Sequence, residues 1–195
     1  MPDLTPEEQA TLLKLARSSI EDVLGIARVL DSAIRESDLS PSLLEVRGAF
    51  VTLKERTVLD SAGHPRLRGC IGTTDPEEPL YRSVIHNAAR AALEDPRFPP
   101  VEVHELPGLS LEISALTPRT PVDGPDGILP GRDGVTLHKG THRAVFLPQV
   151  ATEQGWSTRQ LLEHLAQKAG LPAEGWQGAG LETFRAEVFG EHEVG

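Results

Sequence analysis

Between Leu12 and Leu53 the apolar residues change their spacing from three-to-four to two, and that change confines the chain to folds that mix helices with strands. Leu12, Leu13, Leu15, Ala16, Ile20, Val23, Leu24 and Ala27 form one helical stripe. Thr5-Pro6-Glu7-Glu8 precedes it, with Thr5 as N-cap, Pro6 at the first helical position and Glu8 completing a capping box. Gly25 marks the end of this helix. The stretch Asp31 to Leu44, with Ser40-Pro41, reads as a linker. Gly48-Ala49-Phe50-Val51-Thr52-Leu53 then has the alternation and the β-branched and aromatic content of a strand.

The same two periods recur to the C-terminus. The turn formers Asp60 to Pro65 predict a hairpin whose second arm is Arg66 to Ile71, and Gly72 to Pro79 is a second turn-rich connection. Leu80, Val84, Ile85, Ala88, Ala91 and Ala92 make the buried stripe of a helix that Asp95-Pro96 ends, because proline cannot donate to the helix ladder. Leu109, Leu111 and Ile113 alternate as a half-buried strand. Thr117 to Asp133, with Pro118, Pro121, Pro125 and Pro130, is expected to be a long loop that regular structure cannot enter. A second hairpin flanks Lys139-Gly140-Thr141-His142. Ser157 to Gln160 is another capping box, opening a helix that Gly170 and Pro172 stop. Phe184, Ala186 and Val188 read as one closing strand. Helices interleaved with antiparallel hairpins predict an α+β fold, antiparallel sheets with packed helices, rather than a doubly wound sheet. Residues 5–190 form the expected single domain, with residues 1–4 and 191–195 as tails.

Composition removes several function classes. The 19 Lys+Arg against 29 Asp+Glu give a formal charge of −10, and the longest basic clustering is Arg66 with Arg68, which argues against nucleic acid as a partner. No window approaches the roughly 18 uninterrupted apolar residues of a spanning helix, and Met1-Pro2-Asp3-Leu4 has no export signal, so no membrane association is expected. A single cysteine excludes an internal disulfide and a Cys-rich zinc framework and fits a reduced, cytoplasmic setting.

That cysteine lies in Leu67-Arg68-Gly69-Cys70-Ile71-Gly72. In a regular strand Leu67, Gly69 and Ile71 share one face, while Arg66, Arg68, Cys70 and Gly72 share the other. Neighbouring cations favour the nucleophilic thiolate of a cysteine, and the flanking Gly69 and Gly72 allow a ligand to approach closely. Cys70 is therefore a candidate nucleophile and Arg68 a candidate holder of an anion. His86 and Asn87 are candidates for base and orienting amide, since a Cys-His pair is the usual way to activate a thiol. The same residue also fits a small buried hydrophobe, with glycines that only permit tight packing. Gly69-x-x-Gly72 is no phosphate loop, because no Lys-Ser or Lys-Thr follows it. His138 and His142 lie across a turn and read as surface histidines, so no metal site is expected, and no cofactor is specified. Trp156 and Trp176 read as packing anchors.

The hexapeptide, with Gly48 to Leu53 ahead of it, resembles the hallmark segment of the AMMECR family. Further matches follow in order: Asn87-Ala88-Ala89 to Asp95-Pro96-Arg97-Phe98-Pro99-Pro100, Leu111-Glu112-Ile113-Ser114 to Leu116-Thr117-Pro118, Gly131 to Val135, Phe146 to Val150, Trp156, and Lys168 to Leu171. The resemblance implies a compact α+β fold of two unequal lobes with the hexapeptide near a cleft. It also implies component A of a three-part system, beside a Memo-like protein related to extradiol dioxygenases and a radical SAM protein. Two functions follow as expectations. One is binding of a small polar or anionic ligand by Arg68, Gly69, Gly72 and Asn87, with thiol-dependent chemistry by Cys70 and His86. The other is a non-catalytic adaptor module of that system.

Overall fold

The structure, a computed structural model, describes residues 4–26, 36–75 and 77–191. Ala27, the first part of the expected linker at 31–35, Pro76 and most of both expected tails lie outside the described residues. The chain divides into two compact units, one of Met1–Ala115 with Glu187–Gly195 and one of Leu116–Ala186.

In the first unit, helix α1 (Pro6–Val23) carries the expected capping box: Glu8 N–H donates to Thr5 Oγ1, and Thr5 N–H donates to Glu8 Oε2 at 2.8 Å. It ends before Gly25, whose φ of 72° is open to a residue without a Cβ. The described part of the expected linker is partly ordered, with a 3-10 turn at Glu36–Asp38 and the short helix α2 (Pro41–Leu44), where Pro41 takes a first-turn position. Strands β1 (Ala49–Leu59) and β2 (Pro65–Thr73) form the hairpin, helix α3 (Leu80–Leu93) follows, and β3 (Leu109–Leu116) and β8 (Ala186–Gly190) complete a sheet of order β2-β1-β3-β8. β1 is antiparallel to both β2 and β3. Ala49, Val51, Leu53, Leu111 and Ile113 on one face of the sheet are buried in one cluster with Leu12, Ile20, Leu80, Val84 and Ala88 of the helices. Each large aliphatic residue buried there contributes about 1.5–3 kcal/mol. Arg17 closes the C-terminal end of this unit, with Nη2 2.7 Å from Glu191 Oε2.

The second unit has β4 (Thr120–Val122), β5 (Gly134–Lys139), β6 (His142–Phe146) and β7 (Gly180–Phe184) in the order β4-β7-β5-β6, all antiparallel. Helices α4 (Pro148–Gln154) and α5 (Thr158–Lys168) contribute Ala151, Leu161, Leu162 and Leu165 to a core with Val135, Leu137 and Leu181. The stretch expected to exclude regular structure contains β4. It is an edge strand, where the missing N–H of Pro121 costs no ladder bond. The closing strand is in fact two, β7 and β8, in different sheets. Between them Arg185 N–H donates to Thr117 Oγ1 and Arg185 O accepts from Thr117 N–H, both at 2.8 Å. Helix α4 escaped the sequence pattern because only seven residues form it, from Pro148 at its start to Gly155, at φ 66°, just beyond its end.

Candidate functional site

β2 carries the hexapeptide along the outer edge of its sheet. Gly69, Cys70, Ile71 and Gly72 oppose Leu53, Thr52, Val51 and Phe50 of β1, so Cys70 shares a face with Thr52, and Gly69 shares one with Leu53 and the helical core. The register then slips: Leu67 opposes Lys54, which leaves Arg68 as an extra residue, a β-bulge. Strict alternation therefore fails at Arg68, and Leu67 moves to the face of Cys70. Sequence periodicity has no signal for a single inserted residue of this kind.

The bulge sends Arg68 into a fully occupied position. Its Nε and Nη2 bond Glu105 Oε1 and Oε2 at 2.8 and 3.0 Å, and Nη1 donates to Pro99 O at 2.9 Å. The guanidinium also lies 6.0 Å from the centre of the Phe98 ring. This pairing is the main cause that holds the Glu105 carboxyl below its ordinary range, against the opposing effect of burial. The group expected to hold an anion thus already holds one supplied by the chain. Around it lies an open cavity of about 610 Å³, with Arg66, Leu67, Arg68, Phe98, Pro99 and Glu105 in its wall. Arg66 is paired there with Glu55.

Both glycines answer to packing. A Cβ on Gly69 would stand 2.2 Å from Ala91 O of α3, and one on Gly72 would stand 2.3 Å from the Phe50 ring. Asn87 is buried on α3 and donates to Ala49 O at 3.1 Å and Ser83 Oγ at 3.3 Å, which ties the helix to β1. His86 is exposed on α3, with Nδ1 2.9 Å from Glu78 Oε2. Neither reaches the thiol: α3 packs against the Gly69 face of the sheet, and Cys70 presents its side chain on the other.

The groups that do meet Cys70 are Thr52, Asp95 and Arg97. The half-buried sulfur accepts from Thr52 Oγ1 at 3.3 Å. The peptide N–H of Cys70 donates to Asp95 Oδ2 at 2.8 Å, and its carbonyl accepts from Arg97 Nη2 at 3.3 Å. Arg97 grips Asp95 with Nε and Nη2 at 2.9 and 2.7 Å. This fork is the largest cause holding the Asp95 carboxyl well below the usual carboxylate range, with the N–H groups of Cys70 and Arg97 adding to it and burial opposing. The Asp95 bonds, and in smaller part Cys70 itself, raise the pKa of Arg97. Across the sheet Thr52 opposes Glu112, which is engaged by Lys54 at 2.7 Å. In the sequence Asp95-Pro96 reads as a helix stop and as part of the family resemblance, with no role toward Cys70. An aspartate that bonds the backbone N–H two residues on, as Asp95 does with Arg97 at 3.1 Å, is also a turn former, and that was the available signal.

Among the described residues no group of three or more His, Cys, Asp or Glu could hold a metal ion, and no helix is long and apolar enough to cross a membrane. His142 bonds Ala169 O through Nδ1 at 2.8 Å. Trp156 stacks on His164 with ring centres 4.0 Å apart.

Fold and site together define an α+β protein of two antiparallel four-stranded sheets, with a bulged hexapeptide edge strand clamped by an Asp-Arg pair. The AMMECR1 family model matches residues 13–189, and the chain belongs to that family. It is 42% identical over 201 residues to a protein of Thermofilum pendens, covering 98% of this chain and 93% of that one. It is 40% identical over 187 residues to one of Pyrococcus furiosus, covering 92% and 86%. The crystal structure of an uncharacterised protein from Pyrococcus horikoshii is similar with a TM-score of 0.72 at 37% identity, over 98% of this chain and 95% of that one.

Proposed function

We propose that this protein binds a small polar or anionic ligand at Arg97 and presents Cys70 to it as a nucleophile, in a cytoplasmic pathway shared with Memo-like and radical SAM proteins. The supporting observation is the Arg97 guanidinium bonded to the carbonyl of Cys70 at 3.3 Å, beside a half-buried thiol. Arg97 is ion-paired with Asp95 as Arg68 is with Glu105, but its side chain is 54% exposed where that of Arg68 is buried, so Arg97 takes the part that the sequence suggested for Arg68.

Alkylation tests the reading, because the chain has one cysteine and every adduct reports on it. Iodoacetate and iodoacetamide react alike: the Sγ–C bond forms, iodide leaves and the thiol proton passes to solvent. They differ in charge. The native protein is expected to favour iodoacetate, relative to iodoacetamide, more than the urea-unfolded chain does, and Arg97→Gln to remove the preference. Equal ratios in native and unfolded chains would refute the anion site.

The adaptor reading is favoured by one observation, the engagement of His86 with Glu78 and of Asn87 with Ala49 and Ser83, which takes both expected helpers away from the thiol. A Cys70→Ser protein that folds normally and rescues a deletion strain would select it.

A further inference from the structure

The bulge at Arg68 and the proline-rich link 98–105 form the wall of the open cavity of about 610 Å³, a size that suits a small molecule. Its frame is tied together. Arg68 donates through Nη1 to Pro99 O at 2.9 Å and through Nη2 to Pro100 O at 3.3 Å, and Glu105 Oε2 accepts the Glu102 N–H at 2.8 Å as well as Arg68 Nη2. The rings of Pro99 and Pro100 are thereby held in place, and with Leu67 and Phe98 they give the cavity an apolar side. The other side is charged, and its charges do not cancel. Arg68 is answered by Glu105 and Arg66 by Glu55. The third carboxylate of the wall, Glu102, has His104 at 3.2 Å as its partner, and the two side chains are 74% and 77% exposed. With His104 neutral, the wall carries three carboxylates against two guanidiniums. Arg97, 5.5 Å from the Phe98 ring, is outside the wall and is itself paired with Asp95.

The geometry points to a second binding site in this cavity, one that takes a small primary amine with an apolar chain: the chain lies against Leu67, Pro99 and Pro100, and the ammonium donates to Glu102. An ionised carboxylate only accepts hydrogen bonds, so the head of the ligand must be a donor. A quaternary ammonium has no N–H to give and is held instead by a cage of aromatic rings. Among the described residues of the wall Phe98 is the only phenyl ring, and it already lies 6.0 Å from the Arg68 guanidinium. An anion would meet arginines that carboxylates of the chain have answered, with one carboxylate in excess. The site differs from the ligand reading above in place and in charge, and neither Cys70 nor Arg97 belongs to its wall.

The probes are hexylamine, hexanol and hexanoate, which share a chain and differ in the head, and binding is followed at the methyl resonances of Leu67 in the full chain. At about 10 mM probe a site of millimolar affinity is nearly full. A unit charge at about 4–6 Å in a water-like medium is worth about three- to sixfold. Hexylamine is therefore expected to bind tighter than hexanol by about that factor, and hexanoate to bind more weakly than either. Glu102→Gln, a change at an exposed side chain, should bring hexylamine to the level of hexanol and leave hexanol within about twofold of its native affinity. The amine makes no use of Cys70, so this result and the alkylation ratio can fail separately. Leu67 methyls that no probe moves, hexanoate binding as tightly as hexylamine, or a native preference for hexylamine in folded Glu102→Gln would each overturn the inference.

Discussion

The carboxylate of Asp95 accepts the peptide N–H of Cys70 at 2.8 Å across a sequence separation of 25 residues. Through this bond the end of α3 and the edge of the hairpin become one structure, and the conformation of the hexapeptide depends on a residue outside it.

Acid should loosen that link. The folded-state pKa of Asp95 is depressed, and that of Glu105 likewise, so each contributes stability that is present above its unfolded value, about 3.9 for Asp and 4.3 for Glu. This stability is lost as the pH falls through that range toward the folded value. Urea unfolding at a series of pH values should show stability falling below about pH 4, and Asp95→Asn should flatten the slope. An unchanged slope in the variant would show that Asp95 is not responsible.

Gly69 permits the approach of α3 to β2. Gly69→Ala places a Cβ 2.2 Å from Ala91 O, a backbone atom that cannot swing aside, and is expected to cost about 1–3 kcal/mol or more. Gly108→Ala, with nothing within 4 Å of its Cβ position, should stay within about 0.5 kcal/mol of the parent. Chemical denaturation of the two variants side by side checks the contrast.

Removal of Glu105 leaves the buried Arg68 with carbonyl partners only. Glu105→Ala should destabilise by about 1–3 kcal/mol. Arg68→Met with Glu105→Leu should recover much of that loss, since a buried ion pair is often replaceable by apolar residues of similar volume. A double variant no better than Glu105→Ala would contradict this account of the bulge.

Ile113, fully buried on β3, measures the first core. Ile113→Ala should cost about 2–5 kcal/mol in urea unfolding, the range for deleting a large aliphatic side chain.

Much of this molecule was legible in local sequence because the relevant physics is local. Thr5 with Glu8 and Ser157 with Gln160 cap helices through bonds that span three residues, and both capping boxes form. Alternation along Ala49 to Leu53 marks a buried face because successive strand residues point to opposite sides, and that face is buried.

What the sequence could not decide is where each charged group around that segment goes. Arg68 and Cys70 share a face only in a strand without a bulge, and the bulge is set by pairing with β1. His86 and Asn87 stand near Cys70 along the chain, yet the sheet lies between α3 and the thiol. The guanidinium that does adjoin the thiol belongs to Arg97, held by an aspartate whose local pattern marked a helix stop and whose partner 25 residues away no local pattern names. By itself the sequence determined most of the elements and the α+β class, because periodicity and capping act over a few residues. The tertiary structure alone decided which side chains surround Cys70, because strand register and the fate of each buried charge depend on partners distant in the chain.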